Sequence, residues 1–311
     1  MPLRIVQSKQ NARLKELRRA LAHPLRESGG DGRGLAGIEG PNLIEEALRA
    51  GLRVACVFVA EGAEDLLEAL PLAPETEILL LPRALLDSAL ATEAPQPIAA
   101  LVAPPDWIWA DLLGGQRKTA PLVVVLAGIQ DPGNLGAILR SAEAFGCDGV
   151  LSLPGTVSAW NPKAVRASAG SVFRVPLLAV SAEDCFARLR EAGVTIWTTW
   201  TTAVHGARPS DHVRLDGPVA LVIGNEGNGV PDVLAAQAHG AVTIPCPGPV
   251  ESLNAAVAAS VLLYEASRQR AAGNAIASHP SLNHPTDEDL SAGTPAARRM
   301  GHPDSSIGGL R

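Results

Sequence analysis

"LVVVLAGIQDPGNLGAILRSAEAFG", residues 122–146, sets an uncharged apolar run before a turn and a helical pattern. "LVVVLAG" carries β-branched residues and no polar alternation, the pattern of a strand buried on both faces. "LGAILRSAEAFG" (135–146) has the spacing of a helix, and Gly146 stops it. A buried strand that feeds a helix through a Gly/Pro turn is half of a βαβ unit. The fold therefore depends on whether the pattern repeats.

It does repeat. Downstream, "GVLSL" reads as a strand and "PKAVRASAG" as a short helix after Asn161-Pro162. "VFRVPLLAV" and "VTIWTTW" read as strands on either side of the helix "EDCFARLREAG". The strand "PVALVIG", a Gly-rich loop, the helix "PDVLAAQAHG", the strand "AVTIP" and a long last helix complete the series. Such alternation predicts an α/β domain over residues 121–270, built on a mostly parallel sheet with helices on both faces.

Upstream the rhythm is weaker. "LAGIEGPNLIEEALRAG" reads as strand, break and amphipathic helix, "RVACVFVA" as a strand, "EDLLEAL" as a helix and "EILLL" as a strand. Residues 1–113 are thus expected to form a smaller α/β unit behind a basic start, joined by a linker at 114–120. From residue 271 the Ser/Pro/Gly/His-rich sequence predicts a disordered tail to 311.

Composition narrows the class. Of 311 residues, 47% are hydrophobic and 19% charged, a globular mixture with room for two cores. No apolar run reaches the roughly 18–20 residues that span a bilayer, and the N-terminus lacks a signal-peptide pattern, so a cytoplasmic protein is expected. The four cysteines, Cys56, Cys147, Cys185 and Cys246, form neither a CxxC pair nor a Cys/His cluster, which argues against a metal site. The net charge of −6 conceals two basic zones. Residues 1–26 hold Arg4, Lys9, Arg13, Lys15, Arg18, Arg19 and Arg26 against Glu16, and between Asp148 and Glu183 the charges are Lys163, Arg166 and Arg174. Clusters of this kind suit phosphate contacts, although solvated helix faces show the same pattern.

Ligands of open parallel sheets bind beyond the carboxyl ends of the strands. Three loops leave such ends: "QDPGNLGAILR" (130–140), "GNEGNGVPD" (224–232) and "PCPGPVESLN" (245–254). The Gly-rich loop has no Lys of a phosphate-binding loop and comes too late for a dinucleotide fingerprint. In the third loop Ser252 is the expected N-cap of the last helix, yet Ala255 stands where a capping box needs Glu or Gln.

Together "DPGNLGAILRSAEAFG", "LVIGNEGNGVP" and "IPCPGPVESLNAAVAASVLLYE" resemble the three motifs of the SpoU (TrmH) family of RNA ribose 2′-O-methyltransferases, members of the SPOUT superfamily. "NPKAVRASAGSVFRVP" is similar to the same family, and "EGPNLIEEALRAG" resembles the small RNA substrate-binding domain preceding it in many members. The resemblance implies a SPOUT-type parallel sheet with a C-terminal trefoil knot, a homodimer formed through the last helix, and S-adenosylmethionine as methyl donor. It implies that Gly224, Ile244 and Leu253 line the cofactor pocket, with Thr199 beside them. It implies catalytic roles for Arg140, Asn134, Glu226, Ser252 and Asn254. Arg140 would activate the ribose hydroxyl or orient it while clamping the adjacent phosphate; a guanidinium is hard to deprotonate, so the second role is chemically easier. Arg13, Lys15, Lys163 and Arg166 are the candidate RNA contacts. The extra N-terminal domain favours ribosomal over transfer RNA.

Two rival readings accompany this one. Pro-Cys pairs recur where a thiolate attacks a pyrimidine base, which would make Cys246 a nucleophile; a small buried filler is the expectation here. A catalytically silent RNA-binding or assembly factor would keep the fold without transfer.

Overall fold

The computed structural model describes residues 3–25, 34–90, 92–114, 120–200, 206–250 and 252–278. Residues Met1–Gly273 form one compact unit; Asn274–Arg311 form a second, described only at the end of the last helix. Within the first unit the described residues build two sheets.

The N-terminal sheet comprises β1 (Leu3–Ile5), α1 (Ala12–Ala22), β2 (Ala36–Glu39), α2 (Pro41–Arg49), β3 (Val54–Ala60), β4 (Glu77–Leu81), α3 (Arg83–Asp87) and β5 (Ile98–Val102). A short helix α4 (Trp109–Leu113) follows. Strand order is β1-β4-β3-β5-β2, with β1, β4 and β3 parallel and β5 antiparallel to both β3 and β2. "EDLLEAL" is a 3-10 turn over Glu64–Leu67 instead of the expected helix. None of its side chains is fully buried, and Leu66 and Leu67 pack only partly against the core, which gives little support for propagation beyond one turn.

The second sheet comprises β6 (Leu122–Ala127), α5 (Pro132–Ala144), β7 (Gly149–Ser152), α6 (Pro162–Ser168), β8 (Leu177–Ala179), α7 (Ala182–Glu191), β9 (Thr195–Trp200), β10 (Arg208–Pro209), β11 (Val219–Gly224), α8 (Asp232–Ala235), β12 (Gly240–Thr243) and α9 (Ala255–Ser278). All seven strands run parallel in the order β10-β12-β9-β11-β6-β7-β8. Strands β6 and β11 are buried at every residue and sit side by side in register, Leu122 opposite Val219.

Three expectations change in detail. "VFRVPLLAV" opens as a 3-10 turn, and only Leu177–Ala179 is strand. "PDVLAAQAHG" keeps a single helical turn, Asp232–Ala235. Helix α9 passes residue 271 and runs to Ser278, because "AAGNAIAS" is alanine-rich and proline first appears at Pro280. Most of the expected linker, 115–119, and the tail from 279 lie outside the described residues.

The C-terminal end of the compact unit ties back to its beginning. Arg270 donates to the carbonyls of Leu215 (3.1 Å), Pro121 (3.1 Å), Gly217 (2.5 Å) and Ala120. Gln269 holds the same loop, donating to Val213 and accepting from the Leu215 amide at 2.7 Å. Burial lowers the pKa of Arg270, yet its four carbonyl partners keep the cation satisfied.

Candidate active site

The carboxyl ends of β6, β9, β11 and β12 lie next to one another, and the loops leaving them enclose the site. Helix α5 begins at one of these ends. Asp131 caps it by accepting from the Asn134 amide at 2.9 Å, and Pro132 occupies the first turn, where no N–H is needed. Leu135, Ile138, Leu139 and Ala142 are buried along one face. Gly136 admits α6: a Cβ there would come 2.6 Å from the Ala167 methyl.

The Gly-rich loop is closed by its own first side chain. Asn225 Oδ1 accepts from the Gly227 amide at 2.8 Å, and Asn225 pairs with Gly229, whose φ of 66° suits glycine. Asn225 Nδ2 also donates to the Gly128 carbonyl at 2.8 Å, fastening this loop to the end of β6. Gly224 cannot carry a side chain, because a Cβ would collide with the Gly229 and Val230 backbone. Asn225 was not among the expected site residues, although the Asn-x-Gly spacing of an Asx turn is visible in "GNEGNG".

The third loop brings a correction. Asn254, not Ser252, caps α9: its Oδ1 accepts from the Ala256 amide at 2.9 Å and the Val257 amide at 3.3 Å. Ser252 is exposed two residues earlier in the chain and lines the cavity described next. Asn254 Nδ2 remains free to reach outward, and it donates to Asn134 Oδ1 at 3.0 Å. Asn134 Nδ2 in turn donates to Glu226 Oε1 at 2.6 Å. One hydrogen-bonded chain, Asn254 to Asn134 to Glu226, thereby joins all three loops. Its directions are fixed, since each amide gives through nitrogen and receives through oxygen.

Beside this chain lies a cavity of about 380 Å³, within the range of small-ligand sites. Thr199, Gly224, Ile244 and Leu253 all line it, as do Glu226 and Ser252. Ile223, Val242 and Leu262 add apolar wall, and the glycines at 224, 227 and 229 bring backbone to its edge. Apolar walls with accessible backbone groups fit a nucleoside-bearing cofactor such as S-adenosylmethionine. Thr199 spends its hydroxyl on the Val222 carbonyl at 3.0 Å, so it shapes the wall.

The remaining candidates lie elsewhere. Arg140 is exposed on α5, outside the cavity lining, and makes no ion pair among the described residues. Its neighbour Ser141 meets Ser260 of α9 at 2.7 Å, so Arg140 stands close to the α5–α9 contact. Lys163 pairs with Asp131 at 2.9 Å and holds that carboxyl below its usual range, with the Asn134 amide contributing. Arg166, on the same short helix, is exposed. Lys15 is exposed on α1, whereas Arg13 is committed to Glu16 and Glu77, each at 2.9 Å. That pairing ties α1 to β4 and neutralises the cation expected to meet RNA.

Cys246 departs from expectation. It is exposed and lines the cavity, while Cys56, Cys147 and Cys185 are buried. Among the described residues no group of His, Cys, Asp and Glu is arranged to hold a metal ion, and no helix is long and apolar enough to cross a membrane.

Comparison with known proteins agrees with this architecture. Residues 121–264 match the SpoU rRNA Methylase family, and residues 38–107 match the RNA 2′-O ribose methyltransferase substrate-binding domain. The chain is 33% identical over 229 residues to the 23S rRNA (guanosine(2553)-2′-O)-methyltransferase RlmP of Bacillus subtilis, an alignment covering 73% of this chain and 86% of that one. It is 37% identical over 245 residues to an uncharacterized tRNA/rRNA methyltransferase of Mycolicibacterium vanbaalenii, covering 74% of this chain and 76% of the relative. The AdoMet complex of the SpoU methyltransferase AviRb from Streptomyces viridochromogenes superposes with a TM-score of 0.69 at 28% identity, covering 84% of this chain and 99% of AviRb. AdoMet-bound rRNA methyltransferase from Sinorhizobium meliloti gives 0.71 at 27% identity, with 86% and 98% covered. The chain belongs to the SpoU (TrmH) family and is an RNA 2′-O-ribose methyltransferase that uses S-adenosylmethionine.

Proposed function

We propose that the enzyme methylates a ribose 2′-hydroxyl of ribosomal RNA, with its N-terminal half holding the RNA and the loops after β6, β11 and β12 holding the reacting groups. The observation that carries the reading is the Asn254–Asn134–Glu226 chain beside the cofactor-sized cavity. Ribosomal RNA is favoured because the similarity to RlmP, whose name specifies 23S rRNA, spans most of both proteins. When bound, S-adenosylmethionine supplies the electrophilic methyl group.

Thr199, Gly224, Ile244 and Leu253 shape the pocket, and Ser252 with the hydrogen-bonded chain completes the site. Arg140 either takes the hydroxyl proton or orients the hydroxyl and clamps its phosphate, and its exposure allows a phosphate to reach it. Lys15, Lys163 and Arg166 offer further phosphate contacts; Lys163 would share its charge with Asp131.

A homodimer through α9 belongs to the same proposal. Val257, Val261 and Tyr264 are 47%, 37% and 56% exposed at helical spacing, and Tyr264 meets Phe145, just past the end of α5, edge-on, 5.9 Å between ring centroids. A trefoil knot over the C-terminal part belongs to the same proposal and rests on membership of the SpoU family. Buried free thiols suit a reducing cytoplasm.

The deciding experiment incubates the full chain and labelled S-adenosylmethionine with unmodified ribosomal and transfer RNA, then maps 2′-O-methyl positions. Transfer confined to tRNA would overturn the ribosomal assignment. Cofactor binding without transfer to any RNA would favour the silent assembly factor.

A further inference from the structure

Helix α5, which carries Asn134 and Arg140, is linked to α2 of the N-terminal half by a shared guanidinium. Arg174 follows the 3-10 turn Ser171–Phe173. Its Nε and Nη2 grip both oxygens of Glu143 on α5, at 2.5 and 3.1 Å. Its Nη1 donates to Glu46 Oε2 on α2 at 2.6 Å. The other Glu46 oxygen accepts from Arg49 at 2.8 Å, so neither carboxylate oxygen is idle.

The backbone is shaped for this junction. Gly170 has φ 88°, and a Cβ there would come 2.8 Å from the Glu46 Cβ. A second tether, Ser158 Oγ donating to the Leu25 carbonyl at 2.5 Å, joins the segment after α1 to the loop before α6. One apolar cluster runs across the junction, taking in Ile38, Leu43 and Ile44 from the first sheet and Val165, Val172 and Phe173 from the second. Apolar packing already holds the two sheets together but is not directional. A planar guanidinium bound by two oxygens of one carboxylate and one of another fixes an angle as well as a distance.

We propose that Arg174 is a positioning residue for methyl transfer. It sets the distance and tilt of α5 relative to the N-terminal sheet, so that RNA held by that sheet presents its ribose to Asn134 and Arg140. The inference rests on the N-terminal half being the RNA-holding part. Glu143 lies three residues beyond Arg140, so a tilt of α5 released at Glu143 moves the reacting end of the same helix. Misplacement by about 1 Å is enough to slow a bound reaction about a hundredfold.

The test compares full-length Arg174→Ala, Arg174→Lys, Glu46→Gln and Arg174→Ala/Glu46→Gln with the wild type. Calorimetry gives S-adenosylmethionine affinity, filter binding gives affinity for an unmodified ribosomal RNA transcript, and single-turnover transfer gives the rate. Arg174→Ala should keep both affinities and lose at least tenfold in rate. Arg174→Lys should recover little, Glu46→Gln should lose less, and the double variant should be no slower than Arg174→Ala. A wild-type rate in Arg174→Ala, full rescue by Lys, or affinities falling together with thermal stability would each overturn the proposal.

A readout independent of RNA separates the clamp from the substrate assignment. Spin labels at Lys15→Cys and Val233→Cys, in a Cys246→Ala background, report the distance between the halves. Arg174→Ala should broaden that distribution at unchanged melting temperature; an unchanged distribution would overturn the clamp even if no supplied RNA were methylated. Wild-type inactivity on ribosomal RNA beside a broadened distribution would sink the substrate assignment alone.

Discussion

Asn134 and Glu226 are 92 residues apart in the chain, and their side chains meet at 2.6 Å. The contact joins the first turn of α5 to the Gly-rich loop after β11. Glu226→Gln can satisfy the Asn134 amide but loses the charge-assisted bond. It should cost cofactor affinity only a few-fold, whereas Asn134→Ala breaks the chain at its centre and frees Asn254 as well. The larger loss, roughly tenfold or more in both affinity and turnover, is expected for Asn134→Ala. Calorimetry and single-turnover transfer on the two variants check the order.

Arg140→Ala should leave cofactor affinity near wild type, because Arg140 is outside the cavity lining. Transfer should fall by roughly 10²–10⁴, the usual cost of a lost acid–base or aligning group. Arg140→Lys keeps a charge without the planar fork and should rescue poorly. A wild-type rate in Arg140→Ala would reduce the residue to a surface position.

Cys246 faces the cavity, so its replacement separates two chemistries. Ribose methylation needs no thiolate, and Cys246→Ala should retain it within a few-fold. Digesting the methylated RNA to nucleosides identifies the product. Loss of all transfer, with a base-methylated product in the wild type, would restore the nucleophile reading.

Arg270→Ala removes four hydrogen bonds at once and strips half-buried carbonyls of their donor. The chain should lose about 2–3 kcal/mol of stability in urea denaturation, since bonds from a charged donor are individually strong but not additive. Cofactor affinity measured well below the midpoint should change little.

Glu143 links stability to pH. Arg174 draws its carboxyl below the ordinary 4.5, so the folded form binds a proton less readily than the unfolded form. That contribution is complete above about pH 4.5 and is lost as pH falls through the lowered value. Glu143→Gln should therefore lose less stability on acidification than wild type. Parallel denaturation curves at pH 7 and pH 3.5 measure the difference.

The second sheet was legible because fully buried parallel strands write themselves as uninterrupted apolar runs, as "LVVVLAG" and "PVALVIG" do. The cavity wall at Gly224, Ile244 and Leu253 came through family motifs, which fix residues at strand ends. Partnership was harder to read. Arg13 looked like a free cation until Glu77, 64 residues away, was placed beside it. Arg174 was one charge in a sparse region, and nothing local announces that Glu46 and Glu143 converge on it. Ser252 was the expected cap, but Ser and Asn cap about equally well, and the loop brings Asn254 to the helix start, where one side chain serves both the cap and Asn134. Strand β5 escaped notice because "IAALV" is short and follows a proline-broken stretch.

The bonds from Arg270 to Ala120 and Pro121 span 150 and 149 residues. On a ribosome moving at roughly 5–20 residues per second, the carbonyls emerge about 8–30 s before the side chain that secures them. Strand β6 pairs with β7 and β11 earlier in synthesis, but the residues that lead into it wait for almost the last described residues before their final tether forms. Such long-range closure is slow to form, and a chain truncated before Arg270 would leave β6 to begin without its latch.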